Sequence, residues 1–301
     1  MKGYLKIAAA TLVSLTGLAT AAEATSVIYG VNAYKFDVTT QQTVGGGIYS
    51  LDIATGAVNF VAPTVASFPA GSPDYAPNSL AYNNNTNTFV YSGCCSFNPG
   101  DTAFSIKGDG TGAKNLGTLA GSSASGSFYN NAYYYMIQGA TDLKKVTFNA
   151  DGSVATQESL SLNLSDGKSY TFGDIAINDQ GLLVGSGRSS ITGQMELFNV
   201  NLAANNLTVG VYGNTELVYQ LAFIENALYG TSASTNEIYK FDTATNQMTG
   251  TGVKYAPNFI FNDLANGKTY NNEVPEPGTL GLLGLGLVAA SRRKKRKMDT
   301  L

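Results

Sequence analysis

The sequence predicts an all-β domain, and three features predict it. A short apolar motif recurs about every 46 residues. Gly, Asn, Ser and Thr punctuate the chain, which favours short strands joined by tight turns, and charged residues are only 13% of the total. Apolar residues make up 44%, with 18 Tyr and 14 Phe to supply bulk, so a sizeable core can be buried. Both ends are targeting sequence, which leaves roughly 250 residues for folding.

The repeat begins each time with an apolar strand: Leu80-Ala81-Tyr82-Asn83, Ser127-Phe128-Tyr129-Asn130, Ile175-Ala176-Ile177-Asn178 and Leu221-Ala222-Phe223. Tyr82, Tyr129, Ile177 and Phe223 are separated by 47, 48 and 46 residues, and Leu264-Ala265-Asn266 follows 43 later. A turn and a second apolar run follow each of the first four copies: Phe89 to Tyr91, Tyr133 to Met136, Leu182 to Val184, and Leu228-Tyr229. Third strands alternate apolar and polar residues, as in Ile238 to Asp242 and Ile48 to Asp52. Their turns include Lys107-Gly108-Asp109-Gly110 and Asn149-Ala150-Asp151-Gly152, where Asp-Gly supplies the positive φ of a tight hairpin.

Four strands in about 45 residues is the pattern of a β-propeller blade. Ile28-Tyr29-Gly30 resembles Leu228-Tyr229-Gly230, a second strand, whereas Leu264-Ala265 is a first strand left without partners. The expectation is therefore a five-bladed β-propeller whose closing blade is split between the two ends, which removes free sheet edges. A β-sandwich does not explain the spacing. A six- or seven-bladed ring needs strands from Pro63 to Pro77, whose prolines argue for a loop.

The N-terminus places Lys2 and Lys6 ahead of an apolar run, Ile7 to Ala19, and then the small residues Ala21, Ala22 and Ala24. That order is a signal peptide over residues 1–24, with the propeller-like domain at 25–272. The last segment, 273–301, holds Pro275-Glu276-Pro277, an uncharged stretch from Thr279 to Ala290, and the basic cluster Arg292, Arg293, Lys294, Lys295, Arg296 and Lys297. A helix over that stretch would be about 18 Å long against a hydrocarbon core of about 30 Å, too short for a comfortable permanent span. The basic cluster would stay cytoplasmic and the body outside the inner membrane.

These three parts, in this order, resemble the PEP-CTERM sorting signal of Gram-negative bacteria; the four residues after the basic cluster are a small departure. The resemblance implies recognition by an exosortase-like processing enzyme of the inner membrane. It also implies a transient membrane stage, delivery to the cell surface or extracellular space, and association with exopolysaccharide and biofilm.

Composition excludes several chemistries. Histidine is absent, so neither a Ser-His-Asp triad nor a His-based zinc site is available. From Thr25 to Glu273 there are 18 acidic and 10 basic residues, an acidic body with no handle for nucleic acid. Cys94 and Cys95 are adjacent, so they cannot staple distant parts; a vicinal disulfide would be strained, and two thiols in the loop are expected instead. No cofactor is expected: Gly45-Gly46-Gly47 and Gly185-Ser186-Gly187 lack the helix of a phosphate cradle and read as turns.

Ser79, Asp174, Gln220 and Asp263 lie beside the first strands, which line a propeller's channel. Asp174 and Asp263 can share a cation or polar ligand if they face inward at one level; the simpler expectation is that each caps a turn. Glu196, Glu216 and Glu225 form a glycosidase-like pair only if two converge. Two function classes remain: a noncatalytic surface or matrix protein that contacts polysaccharide or protein, and a secreted carbohydrate-active enzyme working with carboxylates.

Overall fold

The computed structural model describes residues 25–37, 42–64, 77–93, 102–121, 123–137, 142–164, 169–204, 206–214, 217, 219–232, 234–257 and 259–270. Their regular elements are all strands, joined by turns, and no helix among them is long and apolar enough to cross a membrane. Residues 26–269 make one compact unit.

The first sheet joins the two ends of that unit. Its order is β20 (Phe261–Tyr270), β1 (Thr25–Asp37), β2 (Gln42–Asp52) and β3 (Val58–Ala62), with the C-terminal strand innermost. The second sheet is β4 (Pro77–Asn83), β5 (Thr88–Gly93), β6 (Thr102–Lys107) and β7 (Lys114–Thr118). The third is β8 (Ser123–Tyr129), β9 (Ala132–Ile137), β10 (Asp142–Phe148) and β11 (Val154–Ser161). The fourth is β12 (Tyr170–Ile177), β13 (Leu182–Ser189), β14 (Met195–Asn201) and β15 (Val209–Asn214). The fifth is β16 (Gln220–Ile224), β17 (Ala227–Ser232), β18 (Glu237–Asp242) and β19 (Gln247–Lys254). A single parallel pair, Asn214 with Gln247, joins the outer strands of the last two sheets, which otherwise remain separate antiparallel units. The architecture is a five-bladed β-propeller closed as the repeat predicts.

Alternation along the strands explains the closure. Each strand sends successive side chains to opposite faces, and in a ring each face meets a different neighbouring sheet. Thus Ile28 packs with Leu51, Ala222 and Phe261 on the fifth-sheet side, while its neighbour Tyr29 packs with Leu80, Tyr82 and Phe89 of the second sheet. Tyr133 and Tyr135 join the core against the second sheet, and Tyr134 joins the core against the fourth. All three tyrosines are buried, as core packing requires. Five such clusters fill the five interfaces between sheets.

Two glycine readings are corrected. Gly45-Gly46-Gly47 lies within β2 and Gly185-Ser186-Gly187 within β13, not in turns. Packing is the reason: a Cβ on Gly185 would sit 2.2 Å from Cζ of the buried Phe198, and one on Gly47 would sit 3.0 Å from the Ala62 carbonyl oxygen. The Asp-Gly turns hold as read, with Gly110 at φ +80° and Gly152 at φ +90°.

Candidate functional site

The five inner strands β20, β4, β8, β12 and β16 carry one equivalent position. It is occupied by Asp263, Ser79, Gly126, Asp174 and Gln220, each two residues before Ala265, Ala81, Phe128, Ala176 and Ala222. Pairing of the inner strand with the second strand is irregular here in three sheets, with shifts after Asn78, between Ser123 and Ser125, and between Phe172 and Asp174. Such bulges re-aim side chains without ending the strand. Ser79 takes φ +53°, rare for a residue with a side chain.

Asp174 and Asp263 are brought together although they come from different sheets. Both are fully buried, and their carboxyl groups are hydrogen-bonded to each other. Asp174 Oδ1 accepts the Ile175 N–H at 2.6 Å and its Oδ2 accepts the Leu221 N–H of the fifth sheet at 2.5 Å. Asp263 Oδ1 accepts the Leu264 N–H at 3.0 Å and its Oδ2 accepts the Leu80 N–H of the second sheet at 2.6 Å. Neither caps a turn, contrary to the simpler expectation. Instead each carboxylate occupies the free inner edge of a neighbouring sheet, whose N–H groups have no further strand to pair with.

Loss of hydration dominates the electrostatics. Burial pushes the Asp174 carboxyl up to about 7, against the opposing hydrogen bonds from Asp263 and the backbone. Asp263 is held well above the usual carboxylate range by burial first and the Asp174 charge second. Tyr133, fully buried, donates to the Ser79 carbonyl at 2.8 Å and is itself pushed well up by burial and by Asp263. Two carboxylates buried this close cannot both stay charged without a partner, so the pair must share a proton or a cation.

The other candidates do not converge. Glu196, on β14, is buried and accepts from the Tyr170 hydroxyl at 3.1 Å and the Thr192 hydroxyl at 2.9 Å. Glu225 is exposed in the β16–β17 turn at φ +56°. Glu216, Cys94, Cys95 and the sorting-tail residues lie outside the described residues. Among the described residues no group of three or more Cys, Asp or Glu side chains is arranged around a metal.

An accessible pocket of about 320 Å³ opens where the inner strands end, lined by Tyr82, Asn83, Asn84, Asn85, Phe128, Tyr129, Asn130, Asn131, Asp179 and Asn266. Asn266 forms one wall and is fixed: its Nδ2 donates to the Ile177 carbonyl at 2.5 Å and its Oδ1 accepts the Phe223 N–H at 3.0 Å. The Asn130-Asn131 turn, at φ +47° and +63°, presents two amides to solvent, since asparagine tolerates the left-handed region. Phe128 and Tyr129 are half-buried and keep ring surface exposed. A second groove of about 320 Å³ between the second and third sheets shares Asn83, Phe128 and Asn131 with this pocket. Sequence reasoning missed the pocket, although Tyr82-Asn83-Asn84-Asn85 and Tyr129-Asn130-Asn131 repeat at one blade position.

With the geometry in place, the chain is an all-β propeller protein with a buried axial acid pair and an open amide-lined pocket. Residues 273–297 match the PEP-CTERM protein-sorting motif, which marks it as an exported protein. No curated protein matches the chain. Among solved structures, a chain of a nidogen/laminin complex is similar at 11% identity and a TM-score of 0.48, over 82% of this chain and 98% of that one. The periplasmic gluconolactonase of Pseudomonas aeruginosa is similar at 14% identity and a TM-score of 0.40, over 77% and 68%. A gluconolactonase of Xanthomonas campestris gives 12% identity and a TM-score of 0.43, over 73% and 71%. Likenesses this distant carry no argument about activity.

Proposed function

We propose that this chain is an exported, noncatalytic binding module that holds extracellular polysaccharide at the amide-lined pocket. Residues 1–24 act as a signal peptide, 25–272 as the binding body, and 273–301 as a tail read and cut by an exosortase-like enzyme of the inner membrane. The tail holds the protein at that membrane briefly, and the body then reaches the cell surface.

The observation that supports binding over catalysis is the placement of the carboxylates. Among the described residues the convergent pair, Asp174 with Asp263, is sealed from solvent and engaged by backbone N–H groups, so it cannot reach a glycosidic bond. The accessible pocket offers planar amides and aromatic edges instead. Amides pair with vicinal hydroxyls as donor and acceptor together, and ring faces cover the apolar C–H surface of a sugar.

The test is a glycan array with the full-length protein, followed by titration calorimetry on any ligand found. Asn131→Asp keeps a residue suited to the left-handed turn while removing the amide donors. It should weaken binding about tenfold, the loss of one good hydrogen bond. Unchanged affinity would move the site elsewhere. Release of reducing ends from a bound polysaccharide would replace the binding reading with the enzyme.

A further inference from the structure

Among the described residues, the buried side-chain atoms without a hydrogen-bond partner are Ser79 Oγ, Ser125 Oγ and Gln220 Oε1. Ser79 and Gln220 immediately precede Leu80 and Leu221, whose N–H groups bond Asp263 and Asp174, and Ser125 immediately precedes Gly126 at the same ring position. Burying such an oxygen without a partner costs about 1–3 kcal/mol, so three together call for an occupant. We propose that Asp174, Asp263, Gln220 and Ser79 form an axial site for one divalent cation of the calcium type, held by oxygen ligands from four of the five sheets.

Three features fit a hard cation. Every side chain at the ring position that has a polar atom offers an oxygen, and the fifth position is Gly126, which adds no bulk. A Cβ there would already sit 2.7 Å from the Ser79 carbonyl oxygen, so the ring is tight on that side. Each carboxylate oxygen accepts one backbone N–H, which leaves it a second lone pair for the ion. Finally, two carboxylates in contact must share either a proton or a cation. A divalent ion brings the buried group to neutrality and occupies Gln220 and Ser79 as well, whereas a proton leaves their oxygens unpartnered. Calcium is the natural choice because it accepts mixed carboxylate, amide and hydroxyl oxygens in flexible geometry, and exported modules meet it at high concentration.

The site is sealed, so the ion is loaded during folding. The experiment measures metal content of the full-length protein purified without chelator and dialysed extensively. It then compares melting after refolding in EDTA, in EDTA followed by calcium chloride, and in sodium chloride alone. The expected result is one calcium per chain and a melting temperature lowered by about 5 °C or more in EDTA, restored by calcium and not by sodium. Gln220→Leu keeps both carboxylates and should weaken calcium binding about tenfold. Asp174→Asn should abolish it, and if that variant fails to fold the Gln220 variant still reads the site. Absence of stoichiometric metal, with melting insensitive to EDTA and calcium, would overturn the proposal and leave a proton and ordered water on the axis.

Discussion

Gly267 of β20 lies so close to β1 that a Cβ added to it would sit 1.8 Å from the Val27 carbonyl oxygen. The two residues come from opposite ends of the chain, and their contact is part of the seam that closes the ring. The clash would be with backbone, which no rotamer change relieves. Gly267→Ala should therefore destabilise the protein by about 3 kcal/mol, the upper range for overpacking. Denaturant unfolding should show this as a lowered midpoint. A change below about 0.5 kcal/mol would mean the seam is looser than the structure shows.

Asn266 spans the fourth and fifth sheets through the Ile177 carbonyl and the Phe223 N–H. Asn266→Asp keeps the acceptor and removes the donor, leaving a carbonyl without its partner beside a new negative charge. The expected loss is about 1–3 kcal/mol. Asn84→Ala, at an exposed turn position, should stay within about 0.5 kcal/mol. Equal effects from the two variants would contradict the bridging role.

The acid pair makes the metal-free protein sensitive to pH in a stated direction. The folded Asp174 carboxyl titrates at about 7, above the 3.8 of the free group, so the folded state binds the proton more tightly. That contribution is full below about pH 4 and is lost as pH rises through 7. Asp263 acts in the same direction, and Tyr133, the titratable group that faces the pair among the described residues, stays neutral throughout this window. In EDTA, melting temperature should fall between pH 5 and pH 8, and Asp174→Asn should flatten the dependence. A rise over that interval would contradict the shared-proton state.

The sorting reading predicts a processing defect that spares export. Glu276→Ala leaves residues 1–24 intact, so the protein should still cross the inner membrane but accumulate there uncut. Mass spectrometry of protein released from the surface of a strain carrying a matching exosortase checks this. Intact wild-type molecules still bearing Arg292 to Lys297 would show that the tail is an ordinary anchor.

Much of the architecture was legible because it is periodic. The recurrence of Leu80-Ala81-Tyr82 in later copies reports the blade length, and Ile28-Tyr29 matching a second strand reports the split closing blade. The misread segments show where local pattern fails. Gly45-Gly46-Gly47 and Gly185-Ser186-Gly187 look like turns because glycine is the default turn residue, but the φ of +84° at Gly46 and the close approach of the buried Phe198 to Gly185 favour glycine inside those strands. The pocket was hidden for a similar reason: Asn130-Asn131 reads as turn chemistry until neighbouring sheets place its amides beside Tyr82 and Asn266.

The sequence by itself determined the strand content, the five-fold repeat, the absence of histidine chemistry and the order of parts in both terminal segments, since each is a property of neighbouring residues or of spacing. Only the tertiary structure decided that Asp174 and Asp263 meet, that Glu196 and Glu225 stand on different sheets, and that the open pocket is lined by amides. Ring closure sets the physical reason. An equivalent position on each inner strand is brought to a common axis whatever its distance along the chain, and burial there changes what a carboxyl group is.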